Sequence, residues 1–264
     1  MKKIPVLLVG RPGVGKSASV FTKYGRECVS CEILSGWQAE DILGIPVRSG
    51  GEVKRLRPDW HVRLMAAENA AREKGKTACL FFDEIDKARR EVADACLSLI
   101  SDRQIGGWGL ADGTDIILAA NPPEWGGAEG VSDALRTRCI IREVVPNVRE
   151  WCDWAVDNYR GNQAAAVIEA IAAGQLPLVD TYRDESGAWN KARDVSPRTW
   201  ALALEVLTSE KNPEQARKDV AGLLTPAIAE AACNIFFAHV PDIQSAAMER
   251  SAIAAKKARR PARV

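Results

Sequence analysis

From residue 4 to about residue 146 the chain alternates short apolar runs with longer stretches in which apolar residues recur at helical spacing. Such alternation is the mark of buried strands joined by crossover helices, so it predicts a largely parallel sheet in an α/β fold. The predicted strands are residues 5–9, 28–34, 78–82, 115–120 and 139–144. Predicted helices start at residue 16 and run over 60–74, with Asp59 as the cap, and over 87–100. One interval is longer than a crossover needs. In SGWQAEDILGIPVRSGGEVKRLRPDW, residues 35–60, a Gly50–Gly51 pair between Val47 and Val53 predicts a hairpin. RQIGGWGLADGTD, residues 103–115, is a second hairpin candidate, with Trp108 at a glycine-rich tip that can face solvent or a pore.

Beyond residue 146 the pattern changes to alanine-rich helical sequence such as VREWCDWAVDNY, NQAAAVIEAIAA and PRTWALALEVL, broken at 174–177 and 212–213. This predicts a core over 1–146, a small helical domain over 147–240, and a C-terminal helix with a basic tail over 241–264. With 264 residues, 47% hydrophobic and 27% charged, the chain is long enough to bury a sizeable core. A formal net charge of +1 excludes a global field that would recruit nucleic acid or an anionic membrane, leaving only local patches such as the tail at 256–263.

The opening MKKIPVLLVG has the charged-then-apolar order of a secretion signal, but its apolar run is short and leads into a glycine-rich loop rather than a cleavage site. No run approaches the roughly 18 apolar residues of a membrane span. Seven cysteines, an odd number thinly spread, fit reduced thiols, so a cytoplasmic location without membrane attachment is expected. Cys28 and Cys31 form a CxxC with no second ligand pair, which reads as strand residues rather than a zinc site. His61 and His239 suggest packing or surface positions.

The chemistry begins at GRPGVGKS, residues 10–17, a GxxxxGK[ST] phosphate loop. Gly10, Gly13 and Gly15 stand where the backbone must turn or approach phosphate oxygens closely, and Arg11, Pro12, Val14 and Ala18 complete the loop and first helical turn. The loop amides and helix N-terminus surround the phosphates of ATP, Lys16 reaches the β- and γ-phosphates, and Ser17 ligates Mg²⁺. In CLFFDEID, residues 79–86, an apolar strand ends in two carboxylates at the sheet edge where ligands bind. Asp83 is the expected Mg²⁺ ligand and Glu84 the base that polarises the attacking water.

These two elements together resemble an AAA+ ATPase, and DEID before a helix is similar to the form found in the MoxR group. That resemblance implies a P-loop AAA+ three-layer α/β sandwich with a five-stranded parallel sheet, followed by a small α-helical lid. ILAANPP, residues 117–123, resembles the family's fourth strand, whose terminal polar residue orients the lytic water; here it is Asn121. DALRTRC, residues 133–139, is similar to the segment carrying the arginine that reaches a neighbouring subunit, which matches Arg138 with Arg136 in reserve. VSPRTW, residues 195–200, resembles the start of the lid helix bearing a second sensor arginine, Arg198, with Pro197 in the first turn. EDILG parallels the helix-2 insert of the MoxR branch. The family usually carries a helical segment over the adenine before its first strand, whereas only a few residues precede that strand here.

The resemblance implies Mg²⁺-dependent ATP hydrolysis in a homo-oligomeric ring, a hexamer, that remodels or activates a partner protein, in this branch one with a von Willebrand A domain. Two other readings stay open. One is a nucleotide-gated scaffold that binds nucleic acid through its basic tail, although the tail lacks aromatic residues to stack on bases. The other is a P-loop kinase for a small molecule, which leaves Glu84 and Asn121 with little to do.

Overall fold

A computed structural model describes residues 3–125, 131–183, 187, 189 and 194–238. The chain divides into two compact units, Met1–Val145 and Pro146–Val264. In the first, strands β1 (Val6–Val9), β2 (Val29–Ile33), β5 (Cys79–Asp83), β8 (Asp115–Ala120) and β9 (Ile140–Glu143) form a five-stranded sheet in the order β2-β5-β8-β1-β9. Every pair in it is parallel. The central strands are unbroken apolar runs because both of their faces are covered. Along β5, Leu80 and Phe82 point to one face and Cys79 and Phe81 to the other, all fully buried. Burying one such phenylalanine contributes about 1.5–3 kcal/mol.

Helix α1 (Lys16–Tyr24) covers one face through Val20 and Tyr24. Helices α3 (Asp59–Glu73) and α4 (Arg90–Asp102) cover the other through Trp60, Leu64, Val92, Cys96 and Leu99. Between β2 and α3 lie α2 (Ala39–Leu43) and an antiparallel hairpin of β3 (Pro46–Ser49) and β4 (Glu52–Arg55), which turns at Gly50–Gly51 as expected. A second hairpin pairs β6 (Gln104–Ile105) with β7 (Trp108–Gly109).

Three local expectations need correction. Asp59 does not cap α3: Pro58 holds the cap position, no side chain closes it, and Asp59 is already in the first turn. The helix expected from residue 87 starts at Arg90, because Glu84 turns the chain into a 3-10 turn at Ile85–Lys87 first. Trp108 is not an exposed tip residue. The turn is made by Gly106 and Gly107, and Trp108 folds back, half-buried, with its ring 5.6 Å from that of His61. His61 itself is buried, its Nε2 lying 3.0 Å from the Gly109 carbonyl oxygen. Cys28 closes a 3-10 turn just before β2, and Cys31 lies within the strand.

The second unit is helical: α6 (Val148–Asn158), α7 (Asn162–Ala172), α8 (Pro197–Ser209), α9 (Pro213–Leu223) and α10 (Pro226–Ala238). Its core gathers Ala155, Val167, Ile168, Trp200, Leu204, Val220 and Phe236. The starts are written locally. Asn147 and Asn212 cap α6 and α9 by accepting from backbone amides two and three residues on. Ser196 at the cap and Thr199 form a capping box that spans Pro197, the first helical residue. The C-terminal helix and tail expected over 241–264, and His239, lie outside the described residues.

Candidate active site

The phosphate loop leaves β1, and the Gly10 amide still donates to the Ala120 carbonyl at 3.3 Å. A Cβ at Gly10 would lie 2.6 Å from the Val144 carbonyl oxygen, so a larger residue would push the loop off the sheet. Gly13 and Gly15 take φ values of 78° and 96°, a region that side chains rarely enter. Gly15 caps α1 with no side-chain acceptor, which leaves the amides of the first turn aimed along the positive end of the helix dipole. Arg11 stacks its guanidinium 4.2 Å from the centre of the Trp125 ring, Pro12 and Ala18 are exposed, and Val14 is buried beneath the loop.

Lys16 is 9% exposed. Its Nζ donates to the Gly10 and Arg11 carbonyls at 2.6 and 3.0 Å and to Asn121 Oδ1 at 2.8 Å. One residue on, the Ser17 hydroxyl donates to Asp83 Oδ2 at 2.6 Å, while Asp83 Oδ1 accepts from the Glu84 amide at 3.0 Å. The parallel register explains the meeting: β1 and β5 both pair with β8, so their carboxyl ends open on one crevice. Glu84 sits in left-handed backbone at φ 54°, an uncommon place for a non-glycine residue, and its carboxylate pairs with Lys87 Nζ at 2.7 Å.

The structure thus brings together Lys16, Ser17, Asp83, Glu84 and Asn121. It does not bring Arg136 or Arg138 to them. Arg136 donates to the Val131 carbonyl at 3.2 Å, within the short helix α5 (Asp133–Arg136) and its approach. Arg138 is exposed, bonding the Ala134 carbonyl at 2.7 Å and Ser101 Oγ at 3.1 Å, and contacts none of the five. Arg198 is exposed in the first turn of α8, in the second unit.

Two neighbours of this cluster had no assigned role in the sequence: Lys87, the partner of Glu84, and Asp86, which is 4% exposed with Oδ2 3.5 Å from Asn121 Nδ2. Both stand within the DEIDK stretch, yet only the turn at Glu84 decides which of them faces inward.

The donor set fits the phosphates of a nucleoside triphosphate and a hard divalent cation. The glycine cradle admits phosphate oxygens, a buried ammonium faces it, and a hydroxyl and a carboxylate lie in contact at one rim. Among the described residues, no helix is long and apolar enough to cross a membrane.

A family model described as AAA domain (dynein-related subfamily) matches residues 5–139. Among solved structures, three variants of Thermotoga maritima RuvB are similar to this chain, at TM-scores of 0.43, 0.42 and 0.42 and identities of 15%, 15% and 16%. In each case 88% of this chain is covered, and it spans 62% of the length of that structure. No curated protein matches the chain.

Proposed function

The chain belongs to the AAA domain family, dynein-related subfamily, and on that premise we propose that it is a Mg²⁺-dependent ATPase that works as a homo-oligomeric ring. The observation that carries this is the convergence of Lys16 on Asn121 at 2.8 Å and of Ser17 on Asp83 at 2.6 Å, at the carboxyl ends of three adjacent strands.

Each residue has one task. The loop amides and Lys16 bind the β- and γ-phosphates, and Lys16 leaves the carbonyls of Gly10 and Arg11 to do so. Ser17 and Asp83 would hold Mg²⁺, which would supply positive charge to offset the negative charge that develops in the transition state. Glu84 accepts the proton of the attacking water once it releases Lys87; that pair is 37–41% exposed, so breaking it costs little. Asn121 orients the water through its carboxamide.

Arg138 acts across a subunit boundary, a role supported by its exposure and by the lack of any carboxylate partner among the described residues. Edge strand β9, which directly follows it, leaves Ile140 and Ile141 42% and 47% exposed, an apolar edge suited to a neighbouring copy. Arg198 serves as a second sensor on the helical unit, where loss of phosphate changes its contact and turns hydrolysis into motion. The ring is a hexamer acting on a partner protein, and the MoxR-like insert at residues 35–60 makes a von Willebrand A protein the first partner to test.

The test is light scattering on Glu84→Gln with and without Mg²⁺-ATP, beside turnover by the wild type. A rise from 28.7 kDa to several times that mass with ATP, together with turnover in the wild type alone, is expected. A monomer under both conditions would remove the role given to Arg138, and wild-type turnover unchanged in Glu84→Gln would remove that of Glu84.

A further inference from the structure

Asp86 closes the DEID stretch and is 4% exposed, yet its carboxylate has no cationic partner among the described residues. A buried carboxylate of that kind costs stability, so its persistence needs a reason. Its Oδ2 accepts from Asn121 Nδ2 at 3.5 Å, the one hydrogen bond its side chain makes among the described residues, and its Oδ1 is buried with none.

The other end of the same carboxamide faces Lys16, whose ammonium donates to Asn121 Oδ1 at 2.8 Å. Asn121 therefore lies between a cation and an anion, with its oxygen toward the cation and its amino group toward the anion. Rotating the carboxamide by half a turn would set NH₂ against NH₃⁺ and oxygen against carboxylate, so both contacts turn repulsive. Lys16 is only a part-time member of this lock, because phosphate draws it away. Asp86 does not leave.

We propose that Asp86 is a positioning residue for Asn121: it holds the amino end of the carboxamide so that the oxygen stays aimed at the phosphate side when Lys16 moves to the nucleotide. The oxygen vacated by Lys16 then accepts a hydrogen from the attacking water. Asp86 touches neither nucleotide nor water and acts through Asn121 alone. This inference rests on the reading of Asn121 as the water-orienting residue.

The experiment measures ATP turnover and the Kd of a fluorescent ATP analogue for the full chain and its variants. Turnover by the wild type that Glu84→Gln abolishes tests the ATPase reading by itself, so its failure is seen before Asp86 is judged. Given that activity, Asp86→Ala should lower kcat by about tenfold or more, as loss of a supporting partner typically does, and leave the Kd within about threefold. In an Asn121→Ala background the same change should cost less than about twofold, because its effect has no route left. Asp86→Asn keeps an acceptor for Asn121 Nδ2 and should recover at least about threefold of the loss. Equal losses in kcat and in binding, a fully additive double variant, or turnover by Asp86→Ala within about twofold of wild type would each overturn the proposal. Where Asp86→Ala does not fold, Asp86→Asn carries the same cycle with Asn121→Ala, and additivity there overturns it equally.

Discussion

At the scale of single residues, the site is made of backbone choices as much as of functional groups. Gly10 lies so close to β9's end that Gly10→Ala must displace the Val144 carbonyl or the loop. We expect it to lower stability by about 1–3 kcal/mol and to weaken nucleotide binding, read by thermal melting and by titration. A wild-type affinity in that variant would mean that the loop tolerates a shift. Glu84 presents the opposite case, since a glycine relieves its left-handed backbone at φ 54°. Glu84→Gly should raise stability by about 1 kcal/mol while abolishing turnover, the pattern of strain kept for function; a fall in melting temperature would show that the turn carries none. The glycines, Lys16 and Ser17 were legible as a motif because loop geometry forces their types. That Asp86 faces inward while Lys87 faces solvent was not legible, because the 3-10 turn that separates them follows from the rotation at Glu84.

At the scale of elements, the β3–β4 hairpin was readable from its diglycine turn, but the clamp at its base was not. There Leu56 N donates to the Ile45 carbonyl at 2.8 Å, and Arg55 Nη1 to the Gly44 carbonyl at 2.8 Å. Gly44 has φ 80°, and a Cβ on it would collide with the Leu56 carbonyl oxygen. Gly44→Ala should therefore open the clamp and speed tryptic cleavage at Arg48, Lys54 and Arg55 at constant nucleotide affinity. Cleavage at the wild-type rate would show that the hairpin does not depend on this close approach. The second hairpin teaches the same lesson through Trp108. Its glycine-rich surroundings suggested an exposed tip, whereas the ring packs against His61 and lies under the Arg57 guanidinium, 5.5 Å from its centroid. An aromatic beside a tight turn buries its area when a helix face is in reach.

Across the whole molecule, the cysteines set a pH limit on stability. Burial pushes the Cys96 thiol up to about 12, and burial first, then the nearby Asp83 and Glu32 carboxylates, pushes Cys31 up to about 11. Cys139 rises to about 11 through burial, and burial ahead of its bond to Asp115 raises the Tyr24 hydroxyl. All these shifts are upward, so the folded chain holds the protons more tightly than the unfolded one. The stability they contribute is whole below the ordinary thiol value of 9.0 and is lost as pH rises toward 11 and 12. Melting temperature should therefore fall steadily above about pH 9, and native protein at pH 8 should react slowly with a thiol reagent. A melting temperature flat to pH 11, or fast labelling of every cysteine, would contradict this.

The sequence by itself determined the alternation of strands and helices, the five strands of the parallel sheet, the helical second half, and the identity of Lys16, Ser17, Asp83 and Asn121 as polar residues at strand or loop ends. These follow from local spacing, since period, turn residues and apolar runs are properties of neighbours along the chain. Only the tertiary structure decided the strand order β2-β5-β8-β1-β9, which sets Asn121 beside Lys16 across 105 positions, and Ser17 beside Asp83 across 66. It also decided that Asp86 is buried against Asn121 and that Arg138 faces solvent. The reason is physical: register and burial come from packing between segments distant in sequence, and no local pattern encodes which side chain a neighbouring strand will meet.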